Sequence, residues 1–485
     1  EPGDWDVFVQ NPDGYSDTLP GGFTVLLSPW GDDLRLTDDD AESSLSQSNA
    51  RSVAVDSQGH LHVVWSDNRD GNREIYYKSF DGAAWSADLG STDPGIAVDG
   101  NDNLHVVWND YRHSDYEIYY KRFDGASWGA DTRLTSTGGD SRYPSVAVDA
   151  LNRIHVVWQD KRGGERTKNI YFRLHDGMTW QAEENIASDV PGSQTPAIAV
   201  DGNNHAHVAW RQDYGDSARL YYKKFNGSAW GEEDMLAAGR LDWDPPNPPT
   251  ITTDHLNQVH VAWDDYLDGS YEVFYRIFDG GAWSPRERVS GEFHNSSKAS
   301  VVVDNSGSVH MIWVDRQDGN NEIYYACKKG LSWGQQTRLT KAPNESIHPS
   351  LVIAPDGALH MVWRDYRDGN SEVYYKMRDS DALAGIDRPV SRDELLSNLR
   401  VVPNPILIST QVQLDIGRKV ELTLSIYDVA GRLVRRIEPG VMDPGPRKIG
   451  WDGRGSTGDR VAPGIYFLEM STGTQAASTK VIVLR

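Results

Sequence analysis

The sequence predicts an all-β protein: a seven-bladed β-propeller of four-stranded blades, closed by an N-terminal strand and followed by an Ig-like β-sandwich. Three observations carry this expectation. The stretch LHVVWSDNRDGNREIYYKSFDGAAW, residues 61–85, has six further relatives along the chain. Their tryptophans recur every 43 to 53 residues, which is the spacing of propeller blades and too long for a leucine-rich or ankyrin unit. After the last relative come about seven short β-type runs over about 90 residues, as a sandwich requires.

One unit reads as four strands. SVAVD, residues 52–56, is the first, and SQG is its turn. LHVVW is β-branched and aromatic, DNRDGN is turn chemistry, and EIYYKSF is a third strand. Asp81 and Gly82 then turn the chain into an outer strand opened by Trp85. The second strand ends at Trp65, Trp108, Trp158, Trp210, Trp263, Trp313 and Trp363, so there are seven blades.

Ring closure follows from a misplaced copy. The outer-strand tryptophan recurs as Trp85, Trp128, Trp180, Trp230, Trp283 and Trp333, but the last blade continues MRDSDALAG and has none. Its counterpart, SPWGDDLRLT at residues 28–37, lies ahead of the first blade and matches ASWGADTRLT and LSWGQQTRLT. An open ring would leave an unpaired edge. The segment with Trp30 is therefore expected to pair with the strand holding Tyr374 and Tyr375.

Composition narrows the function. With 71 acidic and 48 basic residues the formal charge is −23, which argues against nucleic acid or an anionic membrane surface as partner and is compatible with cation binding. Cys327 is the one cysteine, so there is neither a disulfide framework nor a cysteine metal site. No apolar run approaches the roughly 18 residues of a membrane span. The opening EPGDWDVFVQ lacks the order of an export signal, so any such signal is expected to be removed or to lie outside the chain.

Taken in order, residues 1–25 hold WDVFVQNPDGYSDTLPGGFTV, which resembles the last hairpin of a TIG domain and implies that a longer protein precedes it. Residues 26–385 are the propeller. Its third turns, SFDGAAW, RFDGASW, LHDGMTW, KFNGSAW, IFDGGAW and CKKGLSW, resemble the Asp-box of secreted bacterial BNR or sialidase-like propellers, with one residue fewer between Asp and Gly. Residues 386–396 read as a linker. In residues 397–485 the order PNP, IYDVAGRLVRR, WDG, APGIYF, KVIVLR resembles the Ig-like domain of flagellar hook-capping proteins and the sorting domain of type IX secretion. That resemblance implies export to the outside or outer surface of a Gram-negative-type bacterium.

Seven of the fourteen histidines, His62, His105, His155, His207, His260, His310 and His360, stand three residues before the second-strand tryptophan. Equivalent positions are spread around a ring, so each is expected to make one structural hydrogen bond per blade and not to share a metal. The loop after that strand carries Asp at Trp+2 in six blades and Arg at Trp+4 in four, with Glu ahead of the third strand in five. Pairing of Arg with both acids across the hairpin explains the set, and calcium is its alternative reading.

What every blade repeats belongs to the fold, so function is sought where one blade departs. Blade 4 reads WRQDYGDSARLYY, with Tyr214 at the Arg position and Arg219 at the Glu position. The link after it, AAGRLDWDPPNPP, holds Trp243 flanked by Asp242 and Asp244 beside stiff prolines, a platform for stacking a sugar or docking a protein. No nucleophile elbow, phosphate loop or zinc motif occurs, and no catalytic residue is assigned. Two readings result: a secreted or cell-surface, cofactor-free, non-enzymatic binder of a glycan or extracellular protein, and a sialidase-like glycan-active enzyme. A third is a subunit of an extracellular assembly, including one built from copies of this chain. The first two differ in whether a few carboxylates have strongly perturbed pKa values in one concave pocket.

Overall fold

In the computed structural model every element is a β-strand among the described residues. These are residues 3–10, 16–25, 30–46, 51–80, 92–187, 192–240, 247–378 and most of 396–483, apart from gaps of one or two positions in the ring. The chain divides into two compact units, Pro29–Leu383, and Glu1–Ser28 together with Ala384–Arg485.

The larger unit is the seven-bladed propeller. Blade 3 is representative: Ser141–Val148, Ile154–Asp160, Asn169–His175 and Glu184–Asn185 form an antiparallel sheet in chain order. The inner strand of each blade touches that of the next. Val53–Val55 of blade 1 touches both Thr92–Val98 of blade 2 and Ser346–Ile353 of blade 7, so the ring is continuous. The second strands of blades 1, 2, 3, 6 and 7 are buried at every position, as in Leu61–Asp67, because both faces pack on neighbouring blades. This is why they read as unbroken apolar runs instead of alternating. The core lies between blades: Trp65 and Tyr76 cluster with Val352, Val362, Val373 and Tyr375 of blade 7.

The outer strand is slighter than expected. In blades 2, 3, 5 and 7 it consists of a single bridge at the tryptophan, as at Phe123 and Trp128, and a two-residue strand such as Thr132–Arg133. The outer segment of blade 1, with Trp85, lies outside the described residues. Closure occurs as expected. Leu34 pairs with Tyr375 and Arg35 with Tyr374, while Trp30 bridges Arg378. Trp30 is buried edge-on against Tyr325 of blade 6 at 5.4 Å, as Trp333 lies against Tyr275 of blade 5 at 5.4 Å.

The loop charges pair differently from the expectation. Arg69 folds back onto Asp67 at 2.7 Å and lies over the Tyr76 ring, and Trp65 Nε1 donates to the same carboxylate. Three of the glutamates are instead held from the outer strand by its Arg-Leu-Thr run, and Glu272 by Ser270 and Ser290. Arg35 and Thr37 bind Glu372, Arg133 and Thr135 bind Glu117, and Arg338 and Thr340 bind Glu322. Asp67 and Glu74 share a rung. Where a loop arginine reaches a second acid, that acid comes from the outer segment, as with Arg112 and Asp131, Arg162 and Glu183, and Arg367 and Asp33.

The repeated histidines are buried. In blade 2, His105 Nε2–H donates to Asp99 at 3.2 Å, and Tyr120 OH donates to Nδ1 at 2.8 Å. The tyrosine bond recurs in six blades, at Tyr77, Tyr120, Tyr222, Tyr275, Tyr325 and Tyr375. Burial holds most of these imidazoles below their usual range and hence neutral; His310, beside Asp304 and Cys327, is raised. In blade 3 the partner is Phe172, and His155 Nδ1 is buried without a bond.

In the second unit Gly3–Gln10 and Ser16–Val25 form a hairpin. Leu396–Val402, Thr410–Ile416 and Gly445–Trp451 make one sheet. Val420–Asp428, Leu433–Met442, Gly464–Ser471 and Ala476–Val483 make a second. Leu424, Ile426, Trp451, Leu468 and Val481 form the common core of the Ig-like sandwich.

Two expectations follow. Trp30→Ala should destabilise the ring by about 3–5 kcal/mol, the cost of truncating a buried aromatic; unchanged denaturant unfolding would refute closure by this segment. Phe172→Tyr should stabilise blade 3 by about 1 kcal/mol by giving His155 the hydroxyl that six blades already have, and a lower unfolding midpoint would refute this.

Candidate functional site

The loops between second and third strands and the links between blades meet on one face of the ring. Ser141 N–H, after a link, donates to Tyr116 O in such a loop, and Ser346 N–H donates to Asn321 O. On this side two registers break the repetition. The residue after each second-strand tryptophan is Ser66, Asn109, Gln159, Arg211, Asp264, Val314 or Arg364, and all are buried except Asp264, which is half-buried. In the inner strands, Asp93, Tyr143, Thr195, Lys298 and His348 have φ between 48° and 56°. These are left-handed conformations that side chains with a Cβ adopt at a cost. In each case the residue lies where the inner strand bulges against its partner. Backbone strain is thus concentrated, in five of the seven blades, at the entrance to the ring.

The two registers touch across blades. Tyr143 N–H donates to Asn109 Oδ1 at 3.4 Å and Lys298 N–H to Asp264 Oδ1 at 3.3 Å. Asn247 Nδ2 donates to the other Asp264 oxygen at 2.9 Å. Lys298 Nζ lies 3.0 Å from His348 Nε2. A line of groups therefore runs from Arg211 in blade 4 through Asp264 and Lys298 to His348 and Arg364 in blade 7.

Their electrostatics fit a concavity. Asp264 and Lys298 keep some solvent contact while being almost surrounded by protein. Burial pushes the Asp264 carboxyl up, against the opposing pull of Asn247, Arg211 and Lys298. Burial lowers Lys298 to about 8, with Arg364 adding to the effect and Asp264 and Glu345 opposing it. Burial and the cations Lys298 and Arg364 hold His348 well below its usual range, so its Nε2 accepts from the ammonium. Arg364 lies over the Tyr366 ring and donates to Ser371 Oγ at 3.1 Å.

Blade 4 departs in backbone as well. Its second and third strands lengthen to Ala206–Tyr214 and Ser217–Phe225, and its outer strand, Asp234–Arg240, is a full seven residues. Arg240 pairs with Tyr266, joining blades 4 and 5 into one sheet. The cleft at this junction is lined by Arg211, Arg219, Asn247, Asp264, Asp265, Tyr266 and Tyr271. Burial raises Asp265 too, against Arg286. Two carboxyls with raised pKa thus border one cleft.

Arg219 takes the glutamate place, paired with Gln212, and its Nη1 lies 3.4 Å from Tyr221 OH. Tyr214 ends the same hairpin opposite Ser217. Trp243, Asp242 and Asp244 lie outside the described residues, between Arg240 and Asn247, both of which belong to the blade 4–5 junction. Sequence reasoning missed Arg211, Asp264, Lys298, His348 and Arg364. The available signal was a variable polar position wedged between two repeated ones, Trp and Asp. Among the described residues no group of three His, Cys, Asp or Glu side chains could hold a metal ion.

Residues 409–476 match the FlgD Ig-like domain. No curated protein matches the chain. Among solved structures, an ulvan lyase bound to a saccharide is similar at TM-score 0.52 and 10% identity, over 70% of this chain and 94% of that one. A structure described as the same kind of polysaccharide lyase gives TM-score 0.51 and 10% identity, over 69% and 93%. At this identity the likeness speaks for the fold alone.

The buried amine gives a pH test. Unfolded, Lys298 titrates near 10.4; folded, it does so at about 8. Between these values the unfolded chain holds more protons, so stability from this group rises with pH across that window and is least below it. Lys298→Met should remove that increment, seen as a smaller difference in unfolding free energy between pH 8 and pH 10. An unchanged difference would place the amine in solvent.

Proposed function

We propose that this chain is a secreted or cell-surface propeller that binds a glycan or an extracellular protein, without catalysis, through the loop-rich face between blades 4 and 7. The observation that carries the reading is the non-repeating line Arg211, Asp264, Lys298, His348, Arg364, set in a scaffold that otherwise repeats. Burying four charged groups is costly, and keeping strained backbone beside them adds to the cost; a ligand site is where proteins retain both. The fused blade 4–5 edge, with Tyr266 and Tyr271 in edge contact at 5.3 Å, adds aromatic surface of the kind sugars stack on. Similarity of fold to a polysaccharide lyase bound to a saccharide favours a glycan over a protein.

The Ig-like match supports placement outside the cell, and we read the domain as a sorting module of the type IX kind. The N-terminal hairpin is read as the end of a TIG domain. A second reading, a glycan-active enzyme, is favoured by one observation: Asp264 and Asp265, both with raised pKa, border the same cleft.

A glycan array probed with the whole chain tests the first reading. Trp243→Ala should weaken binding to any hit by about 2 kcal/mol or more, as an aromatic hot spot does, with folding unchanged. A loss of several kcal/mol of stability with binding intact would remove Trp243 from the site. Turnover of a bound glycan that disappears in Asp264→Asn would decide for the enzyme.

A further inference from the structure

The axis of the ring carries a second feature, independent of the loop-face site. In each blade the inner strand is the last of its sheet, so its free edge turns toward the axis. Inner-strand residues of all seven blades, among them Val55, Val98, Val148, Val200, Val303 and Ile353, line a cavity of about 350 Å³. Arg51, at the start of the blade 1 inner strand, also lines it. Its Nη2 crosses from blade 1 to blade 5 and donates to Thr252 Oγ1 at 3.1 Å.

Thr252 is a neutral acceptor. Among the described residues no carboxylate is hydrogen-bonded or ion-paired to Arg51, and the preceding residues Gln47, Ser48, Asn49 and Ala50 bring none. Arg51 is exposed to the solvent of the channel, although protein surrounds it at longer range, and desolvation lowers its pKa. The chain has 71 acidic residues to 48 basic ones, so a cation without an acidic partner is unexpected. Here the free side of the fork faces a cavity with room for several waters or a small organic acid. The planar guanidinium suits a carboxylate, which it can bind in bidentate fashion.

We infer that the central channel is a binding site for a small monocarboxylate, its charge held by Arg51 and its short apolar part set among the inner-strand valines. Thr252 is the positioning residue that holds the guanidinium across the channel. Sulfate and chloride offer charge without the apolar part and fit less well.

The whole chain titrated with butyrate, chloride and sulfate at fixed ionic strength tests this by calorimetry and thermal unfolding. Saturable butyrate binding is expected, with an upward shift of unfolding temperature on the order of 3 °C at large excess. Arg51→Met should lose at least tenfold in affinity while the ligand-free variant unfolds no lower than the parent. Thr252→Val, which leaves the charge in place, should weaken butyrate several-fold and provides a second reading. Equal butyrate affinity in parent and variants, an equal response to chloride and sulfate, or no saturable binding by the parent would each overturn the assignment.

Discussion

The structure depends on one contact repeated around the ring: an outer-strand indole set edge-on against a ring in the third strand of the preceding blade. Trp128 meets Tyr77, Trp180 meets Tyr120, Trp230 meets Phe172, Trp283 meets Tyr222, Trp333 meets Tyr275 and Trp30 meets Tyr325. The tyrosines in turn donate to a buried histidine of their own blade, whose other nitrogen faces an inner-turn aspartate. Aspartate, histidine, tyrosine and tryptophan thus tie inner hairpin to outer strand and one blade to the next. A quasi-one-dimensional repeat is only as stable as its nearest-neighbour interfaces, and here the aromatic contact between blades is backed in six of the seven blades by a tyrosine–histidine bond within the blade. That Trp30 makes the same contact explains why a strand 340 residues away in sequence can close the ring.

Most of this was legible in the sequence because it repeats. Seven tryptophans set the blade count, the displaced SPWGDDLRLT segment showed the closure, and the histidine register indicated a structural bond without naming its tyrosine. The charge pairing was misread because spacing along a hairpin cannot show from which side a carboxylate is reached. Asp365 and Glu372 are rung partners, yet one is bound by Arg367 of its own loop and the other by Arg35 and Thr37 of the outer strand. The shortness of the outer strands was equally hidden, since a tryptophan bridge and a two-residue strand leave the same apolar pattern as a longer run.

The site was less legible, and for the opposite reason. Attention to the most divergent blade led to Tyr214 and Arg219, and Arg219 does line the blade 4–5 cleft. Lys298 and His348, however, come from blades whose overall pattern is regular. Only a comparison of the same register across blades, where Trp and Asp repeat and the residue between them does not, isolates Arg211, Asp264 and Arg364.

That distribution has a physical logic. After the second-strand tryptophan, blades 1 to 3 carry the neutral Ser66, Asn109 and Gln159, while blades 4, 5 and 7 carry Arg211, Asp264 and Arg364; blade 6 has Val314 there and contributes Lys298 from its inner strand. Charges after the tryptophan, confined to blades 4, 5 and 7, can compensate one another at short range, with Asp264 between Arg211 and Lys298, although Asp93 of blade 2 adds a charge in the inner-strand register. Had all seven registers been charged, mutual repulsion and desolvation would have fallen on every interface that holds the ring together. A repeat scaffold therefore tolerates a buried charged site where the site is asymmetric, and blades 4 to 7 meet that condition.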